Sequence, residues 1–296
     1  MKNIDYLLLT TYDALGNRLE ELLRLLNSIQ RAKNVDELII RHYVLLQRTS
    51  VIPEDLKVFC SDTHFFICVD RQLSLSRARN LMINQARNDN AFAKANICAF
   101  PDDDAWYPNG VLKSFLSMFN TNNDMDIAVC KYSSAPITAM DNSKFIETFA
   151  VAQGCFPYLK RVSSNTLFLR AKLAESTGYF DERLGVGAAI NGGEDTDYAL
   201  RAFRAANGKV MFSDIDYIGH RDRMPALYPK YFAGGLYAIA RSGSSSACLF
   251  IQMLRRICIG AYLVITRKML LTKYIQDLKI GISGFGEKNV NVEPFS

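Results

Sequence analysis

The stretch Ile97-Cys98-Ala99-Phe100-Pro101-Asp102-Asp103-Asp104-Ala105-Trp106-Tyr107-Pro108 carries the strongest signal in this sequence. Its apolar beginning predicts a short buried strand. The three carboxylates then lie at the C-terminal end of that strand, where open α/β sheets bind ligands. Adjacent carboxylates repel one another and need a cationic partner, and their hard oxygens suit Mg²⁺ or Mn²⁺. A solvated acidic turn that caps the next helix is the alternative that these residues leave open.

Composition narrows the class of protein. The chain has 296 residues, of which 49% are hydrophobic and 22% charged, as expected for a folded globular protein with a large core. The net charge of +5 is modest and no Lys/Arg run occurs, so nucleic acid is not an expected partner.

The seven cysteines are odd in number and form no C-x-x-C, which favours buried free thiols over a zinc site. Residues 1–5 lack a signal-peptide core, and a cytoplasmic location is expected.

The first half of the chain alternates between strand and helix patterns. Residues 6–12 and 38–47 are apolar runs that predict strands, and residues 17–30 carry an apolar stripe at helical spacing. Residues 57–60 and 65–69 predict further short strands. This alternation predicts an α/β fold, a mostly parallel, Rossmann-like sheet with helices on both faces.

A helix that begins near residue 74 brings arginines toward the acidic stretch. Ser74 or Ser76 is its expected N-cap, and Arg77 and Arg79 follow in the first turns. Cations are unfavourable at a helix N-terminus unless they contact an anion or a base edge, and Arg79 is the better candidate for such a contact. Solvated side chains are the simpler alternative.

The second half contains weaker elements around a dense polar constellation. We expect a helix at 109–119, strands at 126–130, 165–170, 210–212 and 215–218, a short helix at 172–177 and a glycine-punctuated loop at 178–187. Residues 136–157 show no period, and we consider them a lid or acceptor loop as a hypothesis.

Asn191-Gly192-Gly193-Glu194-Asp195-Thr196-Asp197 opens a further helix. The glycines let the backbone approach a neighbour closely. Carboxylates at a helix N-terminus normally satisfy free amides, which explains one of Glu194, Asp195 and Asp197. The other two are more than capping needs, and one is suited to act as a base.

His220 lies in the polar turn Gly219-His220-Arg221-Asp222. A single histidine is more often structural than a ligand. Its place in a polar turn rather than on an apolar face keeps a metal or phosphate contact open.

Together these motifs resemble the family 2 glycosyltransferases of the GT-A fold, of the type that builds bacterial surface glycans. The matching blocks follow in order over about residues 5–240: the first strand, residues 75–80, the Asp102-Asp103-Asp104 counterpart of the D-x-D motif, residues 178–187, Gly193-Glu194-Asp195-Thr196-Asp197, and Tyr231-Phe232-Ala233-Gly234-Gly235. The resemblance implies inverting transfer of a sugar from a nucleotide-sugar donor to an acceptor hydroxyl, assisted by Mn²⁺ or Mg²⁺.

The resemblance also implies roles for individual residues. Asp195 is the expected general base, and Glu194, Gly193 and Trp106 the expected acceptor contacts. Asp104 and His220 are expected metal ligands, with Asp102 holding the ribose and contributing to the metal site, and Asp103 a rival to Asp104. The expected nucleotide contacts are Thr10, Thr11, Tyr12, Gln47, Arg79, Asp102 and Asp103.

One position departs from the family pattern. Many members end the second strand with an acidic residue that contacts the nucleobase, whereas this chain has Gln47. UDP, GDP and dTDP sugars therefore all stay open as donors.

The character of the chain changes after residue 240. Residues 1–240 are the expected catalytic domain, with a nucleotide-sugar half at about 1–130 and an acceptor half at about 131–240, and residues 241–296 are a helical appendage. Within the appendage Arg255-Arg256 separates two apolar runs, and basic residues follow them. This pattern favours a helix in the membrane interface over a membrane span.

Such a helix would keep the protein peripheral on the cytoplasmic face of the inner membrane, beside a glycan or lipid-linked glycan acceptor. The alternatives are a helical hairpin packed on the catalytic domain and a homo-oligomer contact.

Two other function classes are less favoured. A sugar-nucleotide nucleotidyltransferase needs a Gly-rich basic triphosphate loop after the first strand, and Thr11-Tyr12-Asp13-Ala14-Leu15-Gly16 contains a single glycine. A non-catalytic nucleotide-sugar or glycan binding protein would not need the intact aspartates together with Glu194 and Asp195.

Overall fold

A computed structural model describes residues 4–138, 141–222, 224–243 and 246–287. The strands are β1 (Ile4–Asp13), β2 (Ile40–Gln47), β3 (His64–Val69), β4 (Ala95–Ala99), β5 (Met125–Ser133), β6 (Ala150–Val151), β7 (Leu167–Arg170) and β8 (Lys209–Gly219). The helices of the first half are α1 (Leu19–Asp36), α2 (Glu54–Lys57), α3 (Leu75–Asn88), α4 (Ala91–Lys94) and α5 (Val111–Thr121). Those of the second half are α6 (Asn142–Glu147), α7 (Cys155–Leu159), α8 (Ala171–Thr177), α9 (Glu194–Ala205), α10 (Phe232–Gly243), α11 (Ala247–Ile265) and α12 (Leu271–Ser283). Short 3-10 helices span Ser164–Thr166 and Pro225–Leu227.

The strands form one sheet in the order β3-β2-β1-β4-β7-β5-β8-β6. β1 pairs in parallel with β2 and β4, β2 with β3, and β5 with β8, whereas β7 runs antiparallel to β4 and β5. The prediction of a mostly parallel α/β sheet flanked by helices is confirmed. The strand order reverses at β1 and β4, so the acidic stretch after β4 lies at the edge where such sheets bind ligands.

Alternate residues of β1 face the two sides of the sheet. Leu8 belongs to a buried cluster with Ile29 of α1 and Phe115 of α5. Leu7 belongs to a second cluster with Met82 of α3 and Tyr198 of α9. Helices therefore cover both faces and hold the β4 edge in place.

Several local predictions were wrong. Residues 57–60 are not a strand, because Pro53 followed by Glu54 and Asp55 starts the short helix α2. The two strands predicted between residues 210 and 218 are one strand, β8, with irregular pairing to β5. The region 136–157 contains α6, β6 and the beginning of α7 among its described residues.

The appendage packs directly on the rest of the chain. α10 is continuous across the predicted boundary at residue 240 and is buried along its length. Leu236 of α10 shares a cluster with Met253 of α11 and Leu278 of α12. Arg256 turns inward, where it donates to the Tyr231 carbonyl at 3.2 Å, and the arginine pair does not interrupt α11.

The cysteines follow the expectation in part. Cys98, Cys130 and Cys155 are buried, whereas Cys60 and Cys258 are exposed. The Sγ atoms of the free cysteines Cys155 in α7 and Cys248 in α11 lie 3.2 Å apart, so these two helices are in contact there.

Candidate active site

Asp102 follows β4 and is fixed from two directions. Its backbone N–H donates to Asn165 Oδ1 at 2.6 Å, and Asn165 Nδ2 donates to Asp102 Oδ2 at 2.8 Å. The Ser164 hydroxyl adds a longer bond to Asp102 Oδ1 at 3.3 Å. The 3-10 helix that carries Ser164 and Asn165 thereby sets the orientation of the Asp102 carboxylate.

Arg79 joins the two acidic parts of the chain. Its guanidinium donates to Asp195 Oδ1 at 2.7 Å and to Asp102 Oδ1 at 3.0 Å. The side chain is buried, because α3 begins against the loop 178–187: Ser74 caps the helix, and the Ser76 hydroxyl donates to the Leu184 carbonyl at 2.6 Å. The carboxylates after β4 and those at the start of α9 therefore form one site.

Asp102, Asp104 and His220 can form a metal site. One potential ligand atom from each of the three lies within 4.8 Å of the others. His220 Nδ1 lies 2.8 Å from the Arg221 carbonyl oxygen, which accepts its proton and leaves Nε2 directed at Asp104 Oδ1, 3.0 Å away. Two carboxylates and an imidazole are ligands that Mn²⁺ accepts readily, and Mg²⁺ is compatible with the carboxylates.

The charges at this cluster are strongly coupled. Burial acts to raise the pKa of Asp104, but the hydrogen bond and charge of His220, with Arg221 and Arg18, lower it to about 2. Burial acts to lower the pKa of His220, and the Asp104 contact raises it instead. Burial raises the pKa of Asp103 to about 7. The position beside Asp104 therefore favours positive charge.

Two arginines that the sequence did not single out complete the cluster. Arg18, just before α1, lies 3.0 Å from Asp103 Oδ1 and 3.5 Å from Asp104 Oδ2. Arg221 contacts Asp104 Oδ2 through Nε. Both side chains are partly exposed, so they bring positive charge to the open side of the carboxylates.

Glu194 is a buried carboxyl beside Asp195. Its Oε2 atom has no hydrogen-bond partner among the described residues. Burial, and then the charge of Asp195, raise the pKa of Glu194 to about 8. Glu194 thus holds a proton at neutral pH, and its Oε2 is a buried polar atom without a hydrogen-bond partner in the described part of the chain. Asp197, by contrast, pairs with Arg201 at 2.9 Å and Arg241 at 3.2 Å, so its role is structural, through ion pairs and not through the expected capping of helix amides.

The structure places the β1 residues differently from the prediction. Thr10 is fully buried: its hydroxyl donates to the Pro101 carbonyl at 2.9 Å and lies 2.8 Å from His42 Nε2. Tyr12 is buried in the cluster beneath α1. Neither side chain is open to a nucleotide, because alternation along β1 turns both away from the face that carries Thr11.

Gln47 is also occupied. Its Nε2 donates to Thr11 Oγ1 at 2.8 Å, and its Oε1 accepts from the Leu73 N–H at 2.6 Å. The amide joins β1, β2 and the approach to α3, so Gln47 positions these segments instead of presenting a free amide to a base.

Gly193 and Trp106 are both tightly packed. A Cβ on Gly193 would lie 2.1 Å from the Gly234 carbonyl oxygen, so the close neighbour of this glycine is α10. The indole of Trp106 lies against Gly219, and the Arg24 guanidinium stacks 3.8 Å from its ring centroid. Trp106 also exchanges two backbone hydrogen bonds of 2.9 Å with Gly219, which positions His220 next along the chain.

The eight-stranded sheet with its flanking helices is the GT-A glycosyltransferase fold. The structure of Staphylococcus aureus TarS residues 1–349 aligns with a TM-score of 0.65 over 96% of this chain and 82% of that chain, at 15% identity. The complex of TarS 1–349 with UDP-GlcNAc gives a TM-score of 0.64 at 16% identity over the same shares. The longer TarS structure gives 0.65 at 16% identity, covering 96% of this chain and 50% of that chain.

No family model and no curated protein sequence matches the chain. The likeness to TarS is therefore one of fold.

Proposed function

We propose that this protein is an inverting glycosyltransferase that moves a sugar from a nucleotide-sugar donor to an acceptor hydroxyl. One observation carries the proposal: Arg79 holds Asp102 and Asp195 against a single guanidinium, with the Asp102, Asp104 and His220 cluster beside them. A cation site and a separate oriented carboxylate are the two groups that this reaction needs.

The donor's diphosphate belongs on the side of Asp104. Asp102, Asp104 and His220 would hold Mn²⁺ or Mg²⁺, which supplies charge stabilisation to the departing diphosphate when it is bound. Arg18 and Arg221 lie on the open side of the same carboxylates and add positive charge for the phosphates. Asp103 pairs with Arg18 on the same side of the site and so helps to hold this arginine beside Asp104.

Asp195 is the general base in this proposal. Its Oδ1 accepts from Arg79 and its Oδ2 from the Ser164 N–H at 3.0 Å, so the carboxylate is fixed in orientation. It takes the proton of the acceptor hydroxyl as that oxygen bonds to the anomeric carbon. The bond from the anomeric carbon to the diphosphate oxygen breaks on the opposite side, and its electron pair leaves with the nucleoside diphosphate, which inverts the anomeric centre.

Glu194 orients the acceptor. Because its raised pKa keeps it protonated near neutral pH, the buried carboxyl can donate a hydrogen bond to an acceptor oxygen. The acceptor we infer is a glycan or a lipid-linked glycan of a bacterial surface polysaccharide, and the donor is a UDP, GDP or dTDP sugar. UDP sugars are the first to test, since the TarS fold has been solved with UDP-GlcNAc and with UDP.

A donor-hydrolysis assay tests the proposal. The chain is incubated with a panel of nucleotide sugars and Mn²⁺, and nucleoside diphosphate release is measured with and without EDTA. We expect one donor class to be hydrolysed slowly, and EDTA to abolish the release. Asp104→Ala should weaken Mn²⁺-dependent donor binding by about 10- to 100-fold in calorimetry.

Asp195→Asn separates the base from the donor site. This variant should bind the donor normally and lose roughly 10²- to 10⁴-fold in transfer. Asp62→Asn, a change at an exposed carboxylate outside the site, is the matched control. Normal transfer by Asp195→Asn would exclude this residue as the base.

Pyrophosphate release from a nucleoside triphosphate and a sugar phosphate would instead assign a nucleotidyltransferase, and donor binding without any turnover would assign a binding protein.

A further inference from the structure

The helical hairpin α11–α12 presents an apolar surface that no described part of the chain covers. The outward residues of α11 recur at helical spacing and are large and exposed: Phe250, Ile251, Leu254, Ile259, Tyr262 and Ile265. The opposite face of α11 is also apolar, with Leu249, Met253 and Leu263 turned inward. A helix that is apolar on all sides is stable only when both faces have an apolar partner.

The exposure is greatest at the turn between the two helices. Ile265 is 80% exposed, Leu270 75% and Leu271 58%, and Tyr262 just before them is 59% exposed. Arg267 and Lys268 lie between these apolar side chains and are themselves exposed. Aliphatic side chains and a tyrosine interleaved with cations form a surface suited to the boundary between lipid headgroups and acyl chains.

The charge of this surface favours one kind of partner. From Ser246 to Phe285 the sequence has six Lys and Arg residues and a single acid, Asp277. Asp277 is buried and paired with Lys273 at 2.7 Å, so the outward side of the hairpin carries positive charge only. A second copy of this chain docked face to face would place cations against cations without a compensating acid. An anionic lipid surface supplies both the negative charge and the apolar layer.

We propose that the α11–α12 hairpin docks this protein on an anionic membrane surface, with the turn at residues 265–271 inserted at the headgroup level. The inference goes beyond transfer chemistry, because it concerns where the enzyme works. α11 has the length and hydropathy of a membrane span, and it is the one helix among the described residues that does. It lies on the surface instead, because its inner face packs on α10 and Arg256 is bonded to Tyr231 in that interface.

Vesicle flotation of the full-length chain tests the proposal. One set of vesicles is phosphatidylcholine alone, and the other is an equimolar mixture of phosphatidylcholine and phosphatidylglycerol. The protein should float with the anionic vesicles and not with the neutral ones, and added salt should weaken binding. Ile265→Asp/Leu270→Asp should reduce the partition coefficient by at least roughly tenfold, since two apolar contacts are replaced by charges of the membrane's sign.

The matched control is Val35→Asp/Val58→Asp, which adds the same charges at two exposed apolar sites on other elements. A second double substitution measures the electrostatic contribution to membrane binding. Arg267→Gln/Lys268→Gln should lower binding on the order of tenfold, whereas the control Lys113→Gln/Lys172→Gln should not. All of these positions are exposed, so folding should be unaffected, and donor hydrolysis by the turn variants should stay at the wild-type rate.

Equal flotation of the wild type and Ile265→Asp/Leu270→Asp, or flotation that is the same with neutral vesicles, would overturn the proposal. Light scattering completes the test. A wild-type dimer that becomes a monomer in Ile265→Asp/Leu270→Asp, without any vesicle binding, would assign the surface to a second copy. Flotation is measured without any substrate. A negative flotation result would therefore overturn the membrane proposal and leave the proposed transfer reaction untouched.

Discussion

Three carboxyl groups and one guanidinium set the charge balance at the centre of the site. Asp102 and Asp195 share Arg79, and Glu194 has no cation of its own among the described contacts. Burial, and then the neighbouring charge of Asp195, outweigh the charge of Arg79 and favour a protonated Glu194. The protonation state of Glu194 should therefore be visible in the stability of the whole protein.

We expect Glu194→Gln to remove a pH-dependent loss of stability. The pKa of Glu194 is about 8 in the folded protein, compared with an ordinary value of 4.5. Between these values the folded chain keeps a proton that the unfolded chain has released, so the free energy of unfolding falls as pH rises from 4.5 to 8. The loss is complete above the folded pKa.

Urea unfolding across this pH range measures the effect. The advantage of Glu194→Gln over the wild type should grow by roughly 5 kcal/mol between acidic and alkaline pH, as expected for a folded pKa of about 8 against an ordinary value of 4.5. Glu20→Gln, at an exposed glutamate of α1, should run parallel to the wild type. Parallel curves for Glu194→Gln as well would show that the buried carboxyl does not retain its proton.

At the same scale, the sequence identified charged clusters better than isolated contacts. Asp102, Asp104 and Asp195 were predictable because carboxylates beside a strand end or a helix start need a partner. Arg18 had no such signal, since a single arginine before a helix is ordinary. Ser164 supplies a backbone N–H to Asp195, and a backbone donor leaves no trace in side-chain pattern. Thr10 was misplaced because the period of the strand turns it into the core.

At the scale of elements, the start of α9 and the start of α10 are in close backbone contact. Gly193 packs on the Gly234 carbonyl, and Gly234 in turn packs on the Gly192 carbonyl. Gly193 also has a φ of +87°, a conformation that favours glycine. These glycines let α10 support the turn that presents Glu194 and Asp195.

Gly193→Ala should therefore damage both stability and transfer. The added Cβ overlaps backbone atoms that cannot rotate away, and we expect a loss of about 2–4 kcal/mol in the free energy of unfolding. Gly286→Ala is the control, because Gly286 has a φ of +83° but a Cβ there meets nothing within 4 Å. If the two variants unfold at the same urea concentration, the contact between Gly193 and α10 contributes little to the free energy of unfolding.

The elements that the sequence predicted well are those with a clear period. β1, α1 and α5 carry continuous apolar runs or stripes, and their predicted ends match the structure within two residues, except that α1 ends at Asp36 and not at residue 30. α10 was missed because it is buried along its whole length, and the small residues Ala233, Gly234 and Gly235 allow close packing. The helix therefore lacks the usual contrast between an apolar and a polar face. α2 was missed because its apolar residues are few and its start signal, Pro53 before two acids, is short.

At the scale of the molecule, the appendage is part of the folded unit. Arg241 of α10 is buried and donates to Asp181 at 2.9 Å and to Asp197 at 3.2 Å, next to the site. On its other side α10 is covered by α11 and α12. The predicted division at residue 240 therefore cuts through a helix that belongs to both parts.

We expect a chain that ends at residue 243 to be far less stable than the full-length protein. Removing α11 and α12 exposes the buried apolar side chains of α10, including Phe232 and Leu236. Loss of several such contacts costs about 1.5–3 kcal/mol for each large side chain, so the thermal midpoint should fall by roughly 10 °C or more, or the chain should aggregate. A truncated chain with the full-length midpoint would show that the hairpin is an independent attachment.

The guanidinium of Arg79 has a kinetic consequence. Because it contacts a carboxylate on the donor side and the one we assign to proton abstraction, ionisation on one side changes the field felt on the other. In a bell-shaped plot of transfer rate against pH, each limb would then report an apparent pKa of the interacting groups together and not the pKa of one side chain. Neutralising either aspartate should displace both limbs together.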